Sequence, residues 1–141
     1  MIEDRPAVEA LVASAYGRYV PRIGRKPGPM LDDYGALILQ GHVHVIAFAG
    51  ALQGVLVLLP LPDAMLLDNI AVAPSAQGTG VGRRLLQFAE QTALKAGFRL
   101  IRLYTHELMA ENIALYSRIG YVETHRVEEK GLRRVYMAKG L

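Results

Sequence analysis

The sequence predicts a mixed α/β fold (α+β in its ordering): a mostly antiparallel sheet with one parallel strand pair, flanked by helices. Three observations predict it. Runs rich in Val, Ile and Leu at residues 42–49, 54–59 and 64–73 follow one another at turn-sized spacing, and links that short favour antiparallel neighbours. The third run leads into an amphipathic helical segment and then another strand-like run, the order of a parallel crossover. Two final runs flank Lys130-Gly131 and read as a hairpin.

Each element has its local reason. Asp4 is placed to cap a helix and Pro6 fits its first turn. Val8, Leu11, Val12, Ala15 and Tyr19 recur at helical spacing, so residues 5–20 read as an amphipathic helix. Residues 21–29 are rich in Pro, Gly and basic side chains and read as a loop, with a second short helix over 30–39. Residues 50–53 make a turn between the first two strands, and Pro60-Leu61-Pro62-Asp63 separates the second from the third. Pro74 ends the third strand. Val81, Leu85, Leu86, Ala89 and Ala93 mark a helix over 80–96, with Gly97 placed to stop it. A strand over 98–105 follows, then a helix over 111–119 stopped by Gly120, then strands over 121–127 and 133–138.

The bulk properties bound the function. The 141 residues fit one domain spanning 1–141, and 52% hydrophobic content can bury a core. The absence of cysteine removes disulfides, Cys-based zinc sites and a Cys nucleophile, and fits a reducing cytoplasm. The start Met1-Ile2-Glu3-Asp4-Arg5-Pro6 lacks the form of a signal peptide, and the apolar stretch at 55–61 is far too short to span a membrane. A net charge of +3 reads either as scattered surface arginine or as attraction to a polyanionic ligand. With no Lys/Arg run and 7% aromatics, no nucleic acid is expected as a partner.

The informative segment runs from Asp68 through Gln77-Gly78-Thr79-Gly80-Val81-Gly82-Arg83-Arg84 to Leu86. A strand enters a loop with three alternate glycines, and the loop opens a helix. Glycine allows tight turns and close ligand approach, while a helix start offers unpaired N–H groups and positive potential. Together these suit phosphate oxygens. A bare glycine turn is the plain alternative. A Walker loop needs Lys-Ser/Thr where Arg83-Arg84 stands, and a dinucleotide fingerprint needs different glycine spacing and a later acidic residue, where Phe98-Arg99-Leu100-Ile101-Arg102 is found.

Gln77-Gly78-Thr79-Gly80-Val81-Gly82 resembles the Q/R-x-x-G-x-G/A signature of the GCN5-related N-acetyltransferases, the GNAT family. Ile70-Ala71-Val72-Ala73-Pro74 and Leu85-Leu86 resemble its flanks, and Leu115-Tyr116-Ser117-Arg118-Ile119-Gly120-Tyr121 resembles its later L-Y-x-x-x-G-F/Y segment. The resemblance implies a GNAT-like domain whose parallel strands splay to seat a thioester. It implies acetyl-CoA as co-substrate, with no metal. The diphosphate would be held by the backbone of Gln77, Gly78, Thr79, Gly80, Val81, Gly82 and Arg83, and the pantetheine arm by Ile70, Ala71 and Val72. Tyr116 would protonate the departing thiolate, and Asn112, one turn earlier, would bond the cofactor arm. The family more often carries Ala at that position and Asn three residues earlier, where Met109 stands here; Asn112 also reads as a plain helix cap.

The implied reaction is acetyl transfer to a primary amine of a small molecule or peptide, by direct attack in a ternary complex. A carboxylate or water takes the amine's proton, a phenol protonates the sulfur, and backbone N–H groups steady the oxyanion. Glu107 and Asp68 are the candidate bases, with His106 adjacent to Glu107. Tyr16, Tyr19, Tyr34 and His44 are candidates for an acceptor pocket, and Arg22, Arg25 and Lys26 for attracting an acidic acceptor. The second functional reading is a non-catalytic acyl-CoA sensor module. Family members begin with a strand before the first helix; only Met1 to Asp4 precede it here, so that strand is short or absent, and a homodimer covering the exposed sheet edge is expected.

Overall fold

Alternating apolar residues, short turns and one helical crossover build a six-stranded sheet with helices on both faces. The computed structural model describes residues 5–16, 21, 33–48, 51–129 and 131–141. In chain order the elements are α1 (Arg5–Tyr16), α2 (Tyr34–Leu39), β1 (Val43–Phe48), β2 (Ala51–Pro60), β3 (Met65–Val72), a 3-10 turn (Pro74–Ala76), α3 (Val81–Lys95), β4 (Leu100–His106), α4 (Ala110–Ile119), β5 (Val122–Glu129) and β6 (Leu132–Gly140). Asp4, Tyr19, Arg22, Arg25, Lys26, Gly50 and Lys130 lie outside the described residues, so the expectations that fall on them are not addressed by this structure.

The strand order is β1-β2-β3-β4-β6-β5. Every neighbouring pair is antiparallel except β3 and β4, which run parallel across the α3 crossover. One expectation changes in detail. Gln53 is not in a turn: β2 begins at Ala51, and Gln53 is the extra residue where the β1–β2 register shifts between Ile46 and Ala47. The helix over Tyr34–Leu39 starts at Asp33, which caps it by accepting the Ala36 N–H at 3.1 Å, and Met30, where the expected helix began, lies outside the described residues.

Two apolar clusters separate the faces. On one, Leu56, Leu58, Met65, Leu67, Ile101, Leu103, Val135 and Met137 pack under α3, whose buried stripe is Val81, Leu85, Leu86, Ala89 and Ala93. On the other, Val55, Val57 and Ala71 pack under Val8, Leu11, Val12 and Ala15 of α1. α1 and α2 cover β1–β3 on this second face.

The register explains how β3 serves both clusters. Val57 pairs with Asn69 but Leu58 pairs with Leu67, so Asp68 is an extra residue without a ladder partner. This β-bulge reverses the alternation along β3. Met65 and Leu67 point toward α3, whereas Asn69 and Ala71, at the same parity, point toward α1.

Candidate active site

β3 and β4 pair over only three positions, Met65 with Ile101, Leu66 with Arg102 and Leu67 with Leu103. Beyond them the strands diverge. The gap opens as a cavity lined by Asp68, Asn69, Tyr104, His106, Tyr116 and Arg134, among others. A second cavity continues from it along β3 to Gln77, Gly78 and Gly82, and Tyr16, Ile70, Asn112 and Tyr116 line both.

The glycine loop forms the far end of this groove. Gly78 and Gly80 have φ of 81° and 87°, the left-handed region that glycine enters without strain. A Cβ on either would meet nothing within 4 Å. Gly80 caps α3 without a side-chain bond, and the first helical backbone bond runs from Arg84 N to Gly80 O at 3.0 Å. The amides of Gly78, Gly80, Val81, Gly82 and Arg83 therefore make no backbone bond among the described residues. Open amides at the start of a 15-residue helix fit a diphosphate. Arg83 and Arg84 are exposed beside them.

The side chains around the gap are held from several elements. Tyr116 on α4 is buried, with its ring edge-on to Tyr121 at 5.9 Å between centroids. Asn112 stands one turn before it and does not cap α4; Met109 occupies the cap position and accepts the Asn112 N–H through its carbonyl at 3.1 Å. Asp68, on the bulge, accepts a hydrogen bond from the Tyr104 hydroxyl at 2.9 Å. Asn69 is 2% exposed and fully engaged: its Nδ2 donates to the Tyr34 hydroxyl at 2.6 Å, and its Oδ1 faces the Tyr16 hydroxyl at 2.8 Å. The Tyr16 hydroxyl also reaches the Ile70 carbonyl at 2.6 Å. These contacts fix α1 and α2 against the strand beside the groove.

The candidate bases occupy different settings. Glu107 does not line the gap; it is bound to Arg133 at 3.1 Å and faces Arg126 at 3.9 Å. His106 lines the gap, and its Nδ1 accepts the Leu108 N–H at 3.1 Å, so Nε2 carries the ring proton. Burial lowers its pKa, Glu107 opposes that and Arg133 adds to it. His44 lies away from the gap on β1, beside Phe88 with ring centroids 5.1 Å apart. Tyr34 acts through Asn69 rather than lining either cavity. Asn69, Tyr104 and Arg134 carry no motif; the alternation over β4 puts Tyr104 on one face with Arg102, but nothing local announces Asn69 or Arg134.

Known proteins share this fold. The family model described as "Acetyltransferase (GNAT) domain" matches residues 40–123, more than half of the chain. The uncharacterized N-acetyltransferase YjgM of Escherichia coli is 27% identical over 129 residues, covering 85% of this chain and 77% of that protein. Among solved structures, the PaiA N-acetyltransferase of Thermoplasma acidophilum, in complex with coenzyme A, superposes with a TM-score of 0.81 at 17% identity, over 99% of this chain and 94% of that one. A GCN5-related N-acetyltransferase of Rhodopseudomonas palustris gives 0.80 at 22% identity, over 100% and 92%. The chain belongs to the GNAT acetyltransferase family.

Proposed function

We propose that this chain transfers the acetyl group of acetyl-CoA to a primary amine by direct attack in a ternary complex. The observation that carries the reading is the divergence of β3 from β4 after three paired residues, which joins a gap holding Tyr116 and Asp68 to a groove ending at open glycine-loop amides. In this reading the amides of Gly78, Gly80, Val81, Gly82 and Arg83 hold the diphosphate, whereas those of Gln77 and Thr79 donate to the Pro74 and Ala76 carbonyls at 3.4 and 3.3 Å; the backbone of Ile70, Ala71 and Val72 lies along the pantetheine arm, with Asn112 across the groove.

The chemistry then follows from the residues at the gap. Asp68 draws the amine toward the thioester and receives its proton, directly or through water, as the N–C bond forms. Asp68 serves this role better than Glu107, whose carboxylate is committed to two arginines outside the gap. The bulge takes Asp68 out of the β2 ladder, and a backbone N–H beside it would steady the developing oxyanion. Tyr116 donates its phenolic proton to the sulfur as the C–S bond breaks, and the thiol of CoA leaves. A sensor without turnover would need no carboxylate-lined space beyond the thioester, so the gap around Asp68 favours the enzyme.

Tyr116→Phe tests the reading: kcat should fall on the order of 100-fold, the scale of one general acid, while calorimetry finds CoA affinity little changed. Unchanged turnover removes Tyr116 from the acid role. A homodimer through an open sheet edge, β1 or β5, completes the proposal; light scattering that finds only monomer at micromolar concentration counts against it.

A further inference from the structure

We propose that the acceptor is an amine bearing a carboxylate, an amino acid or short peptide, whose carboxylate binds Arg134 while its amine faces Asp68. This rests on the acyl-transfer reading above and adds the substrate class. Arg134, on β6, has a side chain only 13% exposed; among the described residues its ion pair is a loose 3.7 Å contact with Glu129, with a side-chain hydrogen bond to Tyr136 beside it. Arg133 and Arg126 show the reverse: at 71% and 52% exposure, they hold carboxylates at 3.1 and 3.0 Å. A guanidinium has five donors in a planar fork, and a buried cation is costly unless paired. Here the least exposed of the three stands farthest from its nearest carboxylate. Glu129 is engaged elsewhere, accepting the Tyr136 hydroxyl at 2.5 Å.

The placement of Arg134 says what it is for. Arg134 and Asp68 line the same gap. Tyr104 spans them, with its hydroxyl on Asp68 at 2.9 Å and its ring under the Arg134 guanidinium at 4.4 Å. A negative and a positive group thus stand about one tyrosine ring apart at the mouth of the thioester gap. An amine approaching Asp68 with a carboxylate behind it meets both charges in the favourable sense. A polyamine would bring its second cation against Arg134. With Glu129 already beside the guanidinium, a single carboxylate adds less repulsion there than a dianionic phosphate would.

The test is thiol release from acetyl-CoA with matched acceptors: L-amino acids and dipeptides, their C-terminal amides, and the corresponding decarboxylated amines. For the best acid, kcat/KM should exceed that of its amide by roughly 10- to 100-fold, the scale of a charge-assisted hydrogen-bonded pair. Amine basicity cannot supply that preference, because the amide's amine is the less basic and is more often neutral. In Arg134→Gln the acid-to-amide ratio should collapse toward one, and in Arg134→Lys it should fall part of the way, because an ammonium keeps the charge without the fork. Thermal melts and CoA calorimetry establish that each variant is folded. Equal use of acids and amides by the unaltered protein overturns the inference, as does turnover of polyamines alone, or a ratio that survives in a folded Arg134→Gln. Failure to bind CoA, or no thiol release with any amine, brings down the acyl-transfer reading itself and the inference with it.

Discussion

Gly54→Ala would test how the phosphate-binding end of the groove is held in place. Gly54 lies on β2 opposite Val72 and beneath α3. A Cβ there would stand 2.7 Å from Leu85 Cδ1 and 3.0 Å from Val81 Cγ1. Both side chains are buried, so Leu85 can retreat only into occupied core. Val81 is β-branched, stiff at χ1, and the first residue of α3. Such overpacking costs about 1–3 kcal/mol. Relief by lifting α3 off the sheet would move the glycine-loop amides with it. We expect a melting temperature lower by roughly 3–10 °C for a chain of this size, together with weaker CoA binding by calorimetry. Adding Leu85→Val should restore part of both losses, because it removes the nearer contact. A Gly54→Ala protein that melts and binds CoA like the unaltered chain would refute the reasoning, as would a double variant whose losses simply add.

Two further outcomes follow from groups at odds with their surroundings. The Tyr121 hydroxyl is buried without a hydrogen-bond partner among the described residues, and burial, reinforced by Glu90 and Tyr116, pushes its pKa far above the usual phenol range. Tyr121→Phe should therefore raise stability by about 1 kcal/mol; a lower melting temperature would show that the hydroxyl is satisfied in solution. Burial also lowers the pKa of His44, with His42 adding to it, and of His106. For a histidine with a depressed folded pKa, the unfolded chain takes up the proton first, so stability is intact above the ordinary value of 6.5 and declines as pH falls below it. The urea midpoint should drop between pH 7 and pH 5, less steeply in His44→Gln; parallel slopes for the two proteins would exclude His44 as a cause.

Much of the fold was legible because its signals are local. The α3 stripe from Val81 to Ala93 repeats at helical spacing and is the stripe the helix buries. Gly97 and Gly120 follow α3 and α4 with φ of 91° and 115°, the backbone that sequence placed there as stops. The open amides of the glycine loop follow from its composition in the same way. The surroundings of the candidate base did not. Glu107 sits at the end of β4, where a cleft residue is expected, but its partners Arg126 and Arg133 come from the closing hairpin and bind it outside the gap. Asn112 read also as a cap, and only the backbone shows that Met109 takes that position. Arg134 reaches the gap because β6 inserts between β4 and β5, a pairing that no nearby residue encodes.

The least legible feature, the bulge at Asp68, connects the core to the site. Were Asp68 paired as a regular strand residue, alternation would carry Asn69 and Ala71 on with Met65 and Leu67 toward α3, placing a buried amide in an apolar cluster. With it, Asn69 meets the hydroxyls of Tyr16 and Tyr34, which ties two helices to β3, while Ile70 and Val72 turn toward the α3 cluster. The same reversal takes Asp68 out of the ladder, just where β3 parts from β4, and leaves its carboxylate on Tyr104. One inserted residue thus satisfies a polar group in the core and sets the negative charge at the mouth of the gap. Deleting Asp68 would leave Leu67 and Asn69 adjacent, as Leu58 and Val57 are on β2, so Asn69 would keep its face while β3 loses a residue together with the carboxylate. Asp68→Asn, which keeps the residue count and the strand register, is the substitution that isolates the charge.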